Sequence, residues 1–436
     1  MIEYIPIVLF GLIFVLILIG YPVAFTLGGI SIIIGLIVFD SDFFYLLSLR
    51  LYGTMQNFVL MAVPLFIFMG MMLEKSGIAE QLLHTVSMLF GTLRGGLAIA
   101  VLLVGAMLAA STGIVGATVV TMGLISLPTM LKNGYSTRIS TGVIASAGTL
   151  GQIIPPSVVL VLLGSVLNVS VGDLFLAAVV PGICLVTIYF LYVLVYSQLF
   201  PTQVPKISKE QLRQFRDKGF SKEIIKSFLF PFFLILLVLG SIFAGIASPT
   251  EAAGVGAFGA MILAALSKKF NLKMLQEVMK ETTMLTSMVF MILVGATAFS
   301  LVFRGLEGDK FLLHLIQSAN LEITGFLVLV MIIVFVSGFF IDFIEIVFII
   351  VPVVAPVFAS FGADLVWIGI LLAVNLQTSF LTPPFGFALF YLKGVAPPKV
   401  KTKHLYQGII PFVIIQLLFL TFLVFFPQLL TLFNGL

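Results

Sequence analysis

Two proline pairs, each set among small polar residues, are the features of this sequence best suited to bind a ligand. One pair lies at 155–156 in the stretch 146–157, and the other lies at 383–384 in the stretch 374–385. Proline removes a backbone donor and blocks the helical hydrogen bond to the preceding turn, so each pair should interrupt a helix. The interruption frees carbonyl oxygens beside Ser and Thr hydroxyls, which suit Na⁺, and starts a half-helix whose positive N-terminus suits a carboxylate. The predicted chemistry is ion and anion binding.

Three ionisable residues lie in or near apolar stretches of the second half of the chain: Arg304, Asp342 and Glu345. Ionisable groups inside a membrane are costly and are usually functional. Arg304 can hold a carboxylate with two parallel hydrogen bonds, or it can anchor a helix end at the membrane surface. Asp342 and Glu345 are three residues apart and share a helical face, where they can pair with Arg304, bind a cation or contact a substrate.

Uncharged polar residues beside the proline pairs complete the candidate substrate site. Their amide and hydroxyl groups can give hydrogen bonds to a polar solute without placing a charge in the bilayer. In the second half these residues are Asn375, Gln377 and Thr378, and their approximate counterparts in the first half are Gln152 and Ser111.

The composition indicates the environment in which these residues act. Of the 436 residues, 61% are hydrophobic and only 9% are charged, a balance that suits a lipid bilayer and not the surface of a soluble protein. The sequence contains no phosphate-binding loop, metal-ligand spacing or pattern of nucleophile and base. We therefore expect no enzyme activity, no nucleic-acid partner and no use of ATP, and an ion gradient is the expected energy source.

Apolar runs of about 20 residues predict the membrane spans. Two longer runs, 95–131 and 322–359, are cut by polar residues and are predicted to be re-entrant helical hairpins. Two others, 137–168 and 364–394, are predicted to be helices broken at the proline pairs. The uninterrupted runs lie at 4–20, 22–39, 54–73, 173–200, 227–247, 250–267, 281–303 and 405–430.

The predicted fold is an all-α polytopic membrane protein made of two inverted repeats. The repeats span 1–200 and 227–436, and a basic linker, 201–226, joins them on the cytoplasmic side. Each repeat then crosses the membrane an odd number of times, so the repeats face opposite directions and both termini lie outside. Only three of the 22 Lys and Arg residues fall outside, as the positive-inside rule requires: Arg50, Arg304 and Lys310.

Three amphipathic stretches flank the predicted membrane elements, at 76–92, 268–280 and 306–319. They mix Leu with Lys, Glu and His at helical spacing. We predict interfacial helices that link a mobile part of the protein to a fixed part.

At these motifs the sequence resembles the large membrane subunit of the tripartite ATP-independent periplasmic (TRAP) transporters, over essentially the whole chain. The resemblance implies Na⁺-coupled uptake of an organic acid across the bacterial inner membrane by an elevator motion. Parts of the second half look more like the branch linked to 2-oxo acids, lactate and other carboxylates than like the sialic-acid branch. The most specific matching stretches are 110–116, 148–157, 303–305, 338–342 and 382–386.

The resemblance also implies two sodium sites, each between a hairpin tip and a helix break and formed largely by backbone oxygens. Some family members carry Ser in place of Ala109 and Gly in place of Ser379, departures that backbone ligation tolerates. By motif position the first site maps onto Ala109, Thr112, Gly151, Ile154 and Pro156, and the second onto Gly338, Ser379, Thr382 and Phe385.

The implied partners are a small membrane subunit and a periplasmic solute-binding protein. Because no extra leading segment precedes the first span, we expect the small subunit to be a separate polypeptide. Two other interpretations stay open on the sequence alone. One is a two-component Na⁺/dicarboxylate symporter that needs no binding protein, and the other is a membrane-embedded enzyme or scaffold.

Overall fold

The computed structural model describes residues 4–113, 115–207 and 228–431, with the side chains of 111, 112 and 431 outside that description. Every regular element in the described part is a helix. The first half contains α1 (Ile5–Ile19), α2 (Val23–Val38), α3 (Tyr45–Met55), α4 (Ala62–Lys75), α5 (Ile78–Phe90), α6 (Gly96–Thr112), α7 (Val115–Lys132), α8 (Thr137–Thr149), α9 (Val158–Leu167) and α10 (Val171–Leu199). The second half contains α11 (Phe230–Phe243), α12 (Pro249–Leu266), α13 (Leu272–Gly305), α14 (Gly308–Ser318), α15 (Ile323–Ser337), α16 (Phe343–Ile349), α17 (Val351–Ser360), α18 (Leu365–Leu381), α19 (Phe387–Val395) and α20 (Thr402–Phe425).

The prediction of an all-α polytopic membrane protein is confirmed. Among the described residues, six helices are long and apolar enough to cross a membrane, or up to eight if each bent pair counts as one span. Helices are the open-chain structure that satisfies its own backbone hydrogen bonds in lipid, and this explains why the apolar runs adopt them. Most of the basic linker, from residue 208 to 226, lies outside the described residues.

Each half contains a helical hairpin followed by a broken helix. In the first half the hairpin arms are α6 and α7, and Gly113 ends α6 in the left-handed region, at a φ of 62°. In the second half α15 forms one arm, and the other is divided into α16 and α17, which bend by 50°. Pro352, in the first turn of α17, explains the bend because proline cannot donate the hydrogen bond that would continue α16.

The helices on either side of each proline pair are separated by unwound chain. In the first broken helix, α8 passes into a 3₁₀ turn, Leu150–Gln152, and residues 153–157 lead to α9. In the second, α18 ends at Leu381 and residues 382–386 lead to α19. Both helices therefore stop before the prolines, as backbone sterics require.

Small residues allow the helices to approach closely. A Cβ atom on Gly295 of α13 would lie 2.4 Å from the carbonyl oxygen of Ala24 in α2, and one on Gly142 of α8 would lie 2.2 Å from the carbonyl oxygen of Gly408 in α20. The pairs α2–α13 and α4–α12 form a framework, whereas the hairpins pack mainly on the broken helices. Close backbone approach is the usual means of helix association in membranes.

Two elements differ from the sequence prediction. The stretch 268–280 is not a separate interfacial helix, because Leu272 already begins the 34-residue helix α13. No proline interrupts the chain between Leu272 and Gly305, so nothing stops the helix at the membrane surface. The sequence analysis also missed α3, an 11-residue helix that joins α2 to α4. The other two amphipathic stretches form α5 and α14.

The glycine contact between α8 and α20 predicts a stability effect. Gly142→Ala places a methyl group against the carbonyl of Gly408, so the two helices must separate and the protein should lose about 1–3 kcal/mol of stability. Thermal unfolding of the purified protein measures the change. Gly240→Ala is the matched control, because a Cβ at Gly240 meets nothing within 4 Å. Equal melting temperatures for the two variants would contradict the packing described here.

Candidate functional site

The tip of the first hairpin lies directly against the first helix break. A Cβ atom on Gly151, in the 3₁₀ turn after α8, would lie 2.2 Å from the carbonyl oxygen of Ala109 near the end of α6. Only glycine permits this approach, because any other side chain would overlap the Ala109 carbonyl. The structure therefore brings together two of the residues predicted for the first sodium site. The predicted contributions of Ser111 and Thr112 fall on side chains outside the described part of the chain.

The remaining residues of the first break form a buried, unwound segment. The Ser157 hydroxyl donates a 2.9 Å hydrogen bond to the carbonyl of Gln152, across the break. Ile154 is half-buried and faces α10, where a Cβ on Gly182 would lie 3.2 Å from its side chain. Pro156 is buried in the same segment. This places Ile154 and Pro156 within a few residues of the Ala109–Gly151 contact.

The second half has a corresponding contact, but its glycine lies on the hairpin and not on the broken helix. A Cβ atom on Gly338, at the tip of the second hairpin, would lie 2.1 Å from the hydroxyl oxygen of Ser379 in α18. When the proline pairs are aligned, Ser379 corresponds to Gly151. The first half thus has glycine on the broken helix and alanine on the hairpin, and the second half has glycine on the hairpin and serine on the broken helix.

Hydroxyl groups before the second break bond to their own helix. Thr378, Ser379 and Thr382 donate to the carbonyls of Val374, Leu376 and Thr378 at 2.7–2.8 Å. Each hydroxyl oxygen keeps lone pairs that can accept a cation. The second break is more open than the first: the Phe385 side chain is 58% exposed and its ring packs 5.4 Å from that of Phe340. Phe385 can therefore contribute to a cation site through its backbone only.

Asp342 and Glu345 cap the helix that starts at the second hairpin tip. The Asp342 carboxylate accepts a 2.6 Å hydrogen bond from the Phe343 amide, and the Glu345 carboxylate accepts a 3.1 Å hydrogen bond from the Asp342 amide. This is a reciprocal capping box. Neither carboxylate forms an ion pair with Arg304, whose partner is Asp309, with 3.9 Å between Nε and Oδ2. Pairing of Arg304 with these residues, one of the predicted alternatives, is therefore not observed.

A cavity of about 240 Å³ lies where both halves meet the framework helices. Val158 and Phe387, the first residues of α9 and α19, both line it, so both half-helices direct their N-termini towards it. Among the described residues around the cavity, Asp342 is the only one with a charged side chain. The other lining residues are Ile67, Val115, Gly116, Leu285, Met288, Val289, Phe343, Ile344, Phe380 and Tyr391.

Several predicted substrate residues do not line this cavity. Gln152, Asn375, Gln377 and Thr378 are fully buried within the packed helices. The Asn375 amide donates a 2.7 Å hydrogen bond to the carbonyl of Met331 and so ties α18 to the second hairpin. The amides of Gln152 and Gln377 have no hydrogen-bond partner among the described residues. Their predicted contacts with a solute stay predictions.

Sequence reasoning missed most of the cavity wall. Ile67 of α4 and Leu285, Met288 and Val289 of α13 are apolar residues within ordinary membrane-helix sequence, so no pattern distinguishes them from core or lipid-facing residues. Tyr391 was missed for a related reason: an aromatic residue within a short apolar helix carries no signal of what it faces. Only the packing of α4 and α13 on the hairpins and the broken helices identifies these residues.

The chain matches one protein family over residues 10–429, the family described as "Tripartite ATP-independent periplasmic transporter, DctM component". It is 31% identical to the C4-dicarboxylate TRAP transporter large permease protein DctM of Pseudomonas aeruginosa, over 92% of this chain and 91% of that one. It is 29% identical to the ectoine/5-hydroxyectoine TRAP transporter large permease protein UehC of Ruegeria pomeroyi, over 95% of both chains.

Two further comparisons cover a different solute and the fold. The sialic acid TRAP transporter large permease protein SiaM of Vibrio cholerae is 28% identical over 94% of this chain and 93% of its own. The crystal structure of the Alcanivorax borkumensis YdaH transporter superposes with a TM-score of 0.60 at 14% identity, over 98% of this chain and 99% of that chain. At that identity the likeness concerns the fold alone.

The capping box predicts how the second hairpin depends on Asp342. Asp342→Ala removes the acceptor for the first amides of α16 and should cost about 1 kcal/mol, whereas Asp342→Asn keeps a capping oxygen and should cost much less. Thermal unfolding of both variants in the same detergent measures the difference. If both variants melt alike, the carboxylate does not cap α16 as described.

Proposed function

This chain belongs to the family of DctM components of tripartite ATP-independent periplasmic transporters, and we propose that it carries a small organic acid inward, coupled to Na⁺. As a large permease it is a multi-pass membrane protein and not an enzyme. The observation that carries the proposal is the cavity bordered by the N-termini of both half-helices, with a hairpin tip packed on each helix break. The proposed location is the bacterial inner membrane, with both termini in the periplasm.

The contacts between tips and breaks support two sodium sites. Unwound backbone inside a membrane keeps carbonyl oxygens that have no helical partner, and such backbone is tolerated where it binds an ion or is covered by protein. At Ala109–Gly151 and at Gly338–Ser379 the missing Cβ atom lets the hairpin backbone approach the broken helix. We propose that carbonyl oxygens from both sides bind one Na⁺ at each contact. Sodium binding would then seat the hairpin tip.

The cavity supports a carboxylate solute. Two half-helix N-termini bring partial positive charge to one space, and this favours an anion without a buried cationic side chain. A volume of about 240 Å³ suits a small acid better than a large sugar acid. Asp342, already bonded to backbone amides, is proposed to accept a hydrogen bond from a polar group of the solute. A screen of dicarboxylates, 2-oxo acids and hydroxy acids identifies the solute.

The two sides of the cavity support an elevator motion. Ile67 and the three residues of α13 belong to the framework helices, and the other lining residues belong to the hairpins and the broken helices. We propose that the hairpins and the broken helices move together past α4 and α13. The two proposed repeats, 1–200 and 227–436, supply one hairpin and one broken helix each. Their opposite orientation, with the linker 201–226 in the cytoplasm, makes the two end states nearly symmetric.

The proposed partners follow from the tripartite family. A separate small membrane subunit is proposed to bind the exposed apolar faces of the framework helices. A periplasmic binding protein is proposed to deliver the solute. The competing interpretation is a two-component Na⁺/dicarboxylate symporter, which shares the need for Na⁺ but not the need for a binding protein.

Reconstitution in liposomes tests this proposal. The chain with its small subunit should import a radiolabelled carboxylate only when the binding protein and an inward Na⁺ gradient are both supplied. Replacing Na⁺ with choline should abolish uptake. Uptake by the membrane subunits alone would support the two-component alternative, and uptake without sodium would refute the coupling.

The second sodium site can be tested by exchanging the small residue across the contact. Gly338→Ala drives a methyl group into the Ser379 side chain and so weakens the packing of the hairpin tip on the broken helix. A loss of about 1.4 kcal/mol in Na⁺ binding free energy should raise the Na⁺ concentration for half-maximal uptake by roughly tenfold. Adding Ser379→Gly to this variant removes the obstructing atoms and should restore sodium affinity. The double variant reproduces the arrangement at Ala109 and Gly151.

A matched pair of variants controls this test. Gly151→Ala should impair sodium activation equally, but Ala109→Gly should not rescue it, because the obstructing atom there is a backbone oxygen. Gly29→Ala, in open space on α2, should change nothing. Failure of Ser379→Gly to rescue Gly338→Ala would show that the contact does not control sodium binding.

A further inference from the structure

An open cleft separate from the 240 Å³ cavity contains two arginines. Its volume is about 350 Å³, and it lies where α3 and the end of α13 meet α9 and the second hairpin. Arg50 of α3 and Arg304 of α13 both line it, together with Asn57 and Ser165. A cleft of this size accommodates a small organic anion.

The positive charge of the cleft is poorly compensated by the protein. None of the described residues that line it is acidic. Arg304 has one ion pair, a 3.9 Å contact through Nε to Asp309, and its side chain is 48% exposed. Arg50 has no hydrogen bond or ion pair to any described residue. Partial burial and the neighbouring charge of Arg304 both lower the pKa of Arg50.

The uncharged groups of the cleft also offer donors. The Asn57 amide donates to the Ser165 hydroxyl oxygen at 3.2 Å, and the Asn57 carbonyl oxygen accepts the Val59 amide at 3.1 Å. Both the amide nitrogen and the side-chain oxygen of Asn57 are therefore engaged in hydrogen bonds. The Ser165 hydroxyl accepts one of these bonds and keeps its own hydrogen to donate. Two guanidinium groups and a hydroxyl donor match a ligand that only accepts hydrogen bonds, which is the character of a carboxylate.

The cleft and the cavity are lined by different parts of the same helices. On α13, Leu285 and Val289 line the cavity, and Leu293, Thr297 and Arg304 line the cleft. Successive spacings of four and seven place these residues on one helical face. The distance from Val289 to Arg304 along the helix is about 22 Å.

The elements opposite α13 are shared in the same way. On the second hairpin, Ile344 lines the cavity, and Phe348 and Pro352 line the cleft. On α9, Val158 lines the cavity and Ser165 lines the cleft. The same three elements therefore contribute walls to both spaces.

We propose that the cleft formed by Arg50 and Arg304 is a second carboxylate-binding site, and that the solute passes from it along α13 to the cavity. The inference rests on the proposed function, because it concerns the path of the same solute. The two guanidinium groups bind the anion first. The proposed motion of the hairpins and the broken helices then brings the cavity to the level of the cleft. Arg50 is a residue that the family resemblance does not assign to any site.

Chemical protection tests anion binding directly. The membrane complex is placed in neutral phosphatidylcholine nanodiscs without a binding protein and treated with phenylglyoxal, which modifies arginine. Succinate, lactate or pyruvate, against chloride at equal ionic strength, should slow the modification of Arg50 and Arg304 by about fivefold or more. Arg94, an exposed arginine elsewhere in the chain, is the internal control. If every carboxylate protects Arg50 and Arg304 no more than Arg94, the proposal is wrong.

Transport kinetics provide the second test. Arg50→Gln should raise the KM for uptake roughly tenfold and leave kcat nearly unchanged, because a lost entry site weakens binding without altering the translocation step. Lys310→Gln is the matched control, since Lys310 pairs with Glu307 and lines a different cleft. An unchanged KM in Arg50→Gln would overturn the entry site. If the wild-type protein imports no carboxylate at all, the transport proposal fails, and protection of the arginines remains a separate result.

Discussion

Backbone polar groups need partners inside a bilayer, and this requirement governs the arrangement of the whole protein. A proline pair in the middle of a membrane helix leaves carbonyl and amide groups without helical hydrogen bonds. Each break must therefore be covered, and in both halves the tip of a helical hairpin covers it. The cover is so close that one Cβ atom must be absent, on Gly151 in the first half and on Gly338 in the second. A side chain at Gly151 would meet the Ala109 backbone, and one at Gly338 would meet the Ser379 side chain, so either change displaces the hairpin tip from the break.

The same breaks create the charge pattern of the cavity. Ending one helix and starting another within the membrane turns two N-termini, at Val158 and Phe387, towards one shared space. Helix dipoles supply positive potential there without the desolvation cost of a buried cation. Asp342 can remain among apolar walls because backbone amides of the hairpin donate hydrogen bonds to its carboxylate. The guanidinium groups of Arg50 and Arg304 line a separate cleft, and Arg304 lies about 22 Å from Val289 along α13, with its side chain 48% exposed.

The packing divides the helices into two groups with different neighbours. The pairs α2–α13 and α4–α12 contact each other through small residues, and the hairpins contact the broken helices. The cavity lies on the boundary between the groups, and α13 runs the length of that boundary. A long wall unbroken by proline suits the elevator motion proposed above. The continuity of α13 through Leu272–Lys280, in place of a separate interfacial helix, lengthens this wall.

The sequence alone determined the helical class, the hairpins, the two breaks and the residues at their tips, because proline, glycine and apolar length act locally on the backbone. It also identified Asp342 as an ionisable residue within an apolar stretch. Only the tertiary structure decided that Asp342 caps a helix beside the cavity, that Arg304 faces Arg50 and Asp309 instead, and that Gln152, Asn375 and Gln377 are buried away from the cavity. The reason is that a side chain's role depends on which distant helix lies opposite it. In a chain that is apolar throughout, no local pattern distinguishes a face turned to lipid from one turned to a neighbouring helix or to a solute.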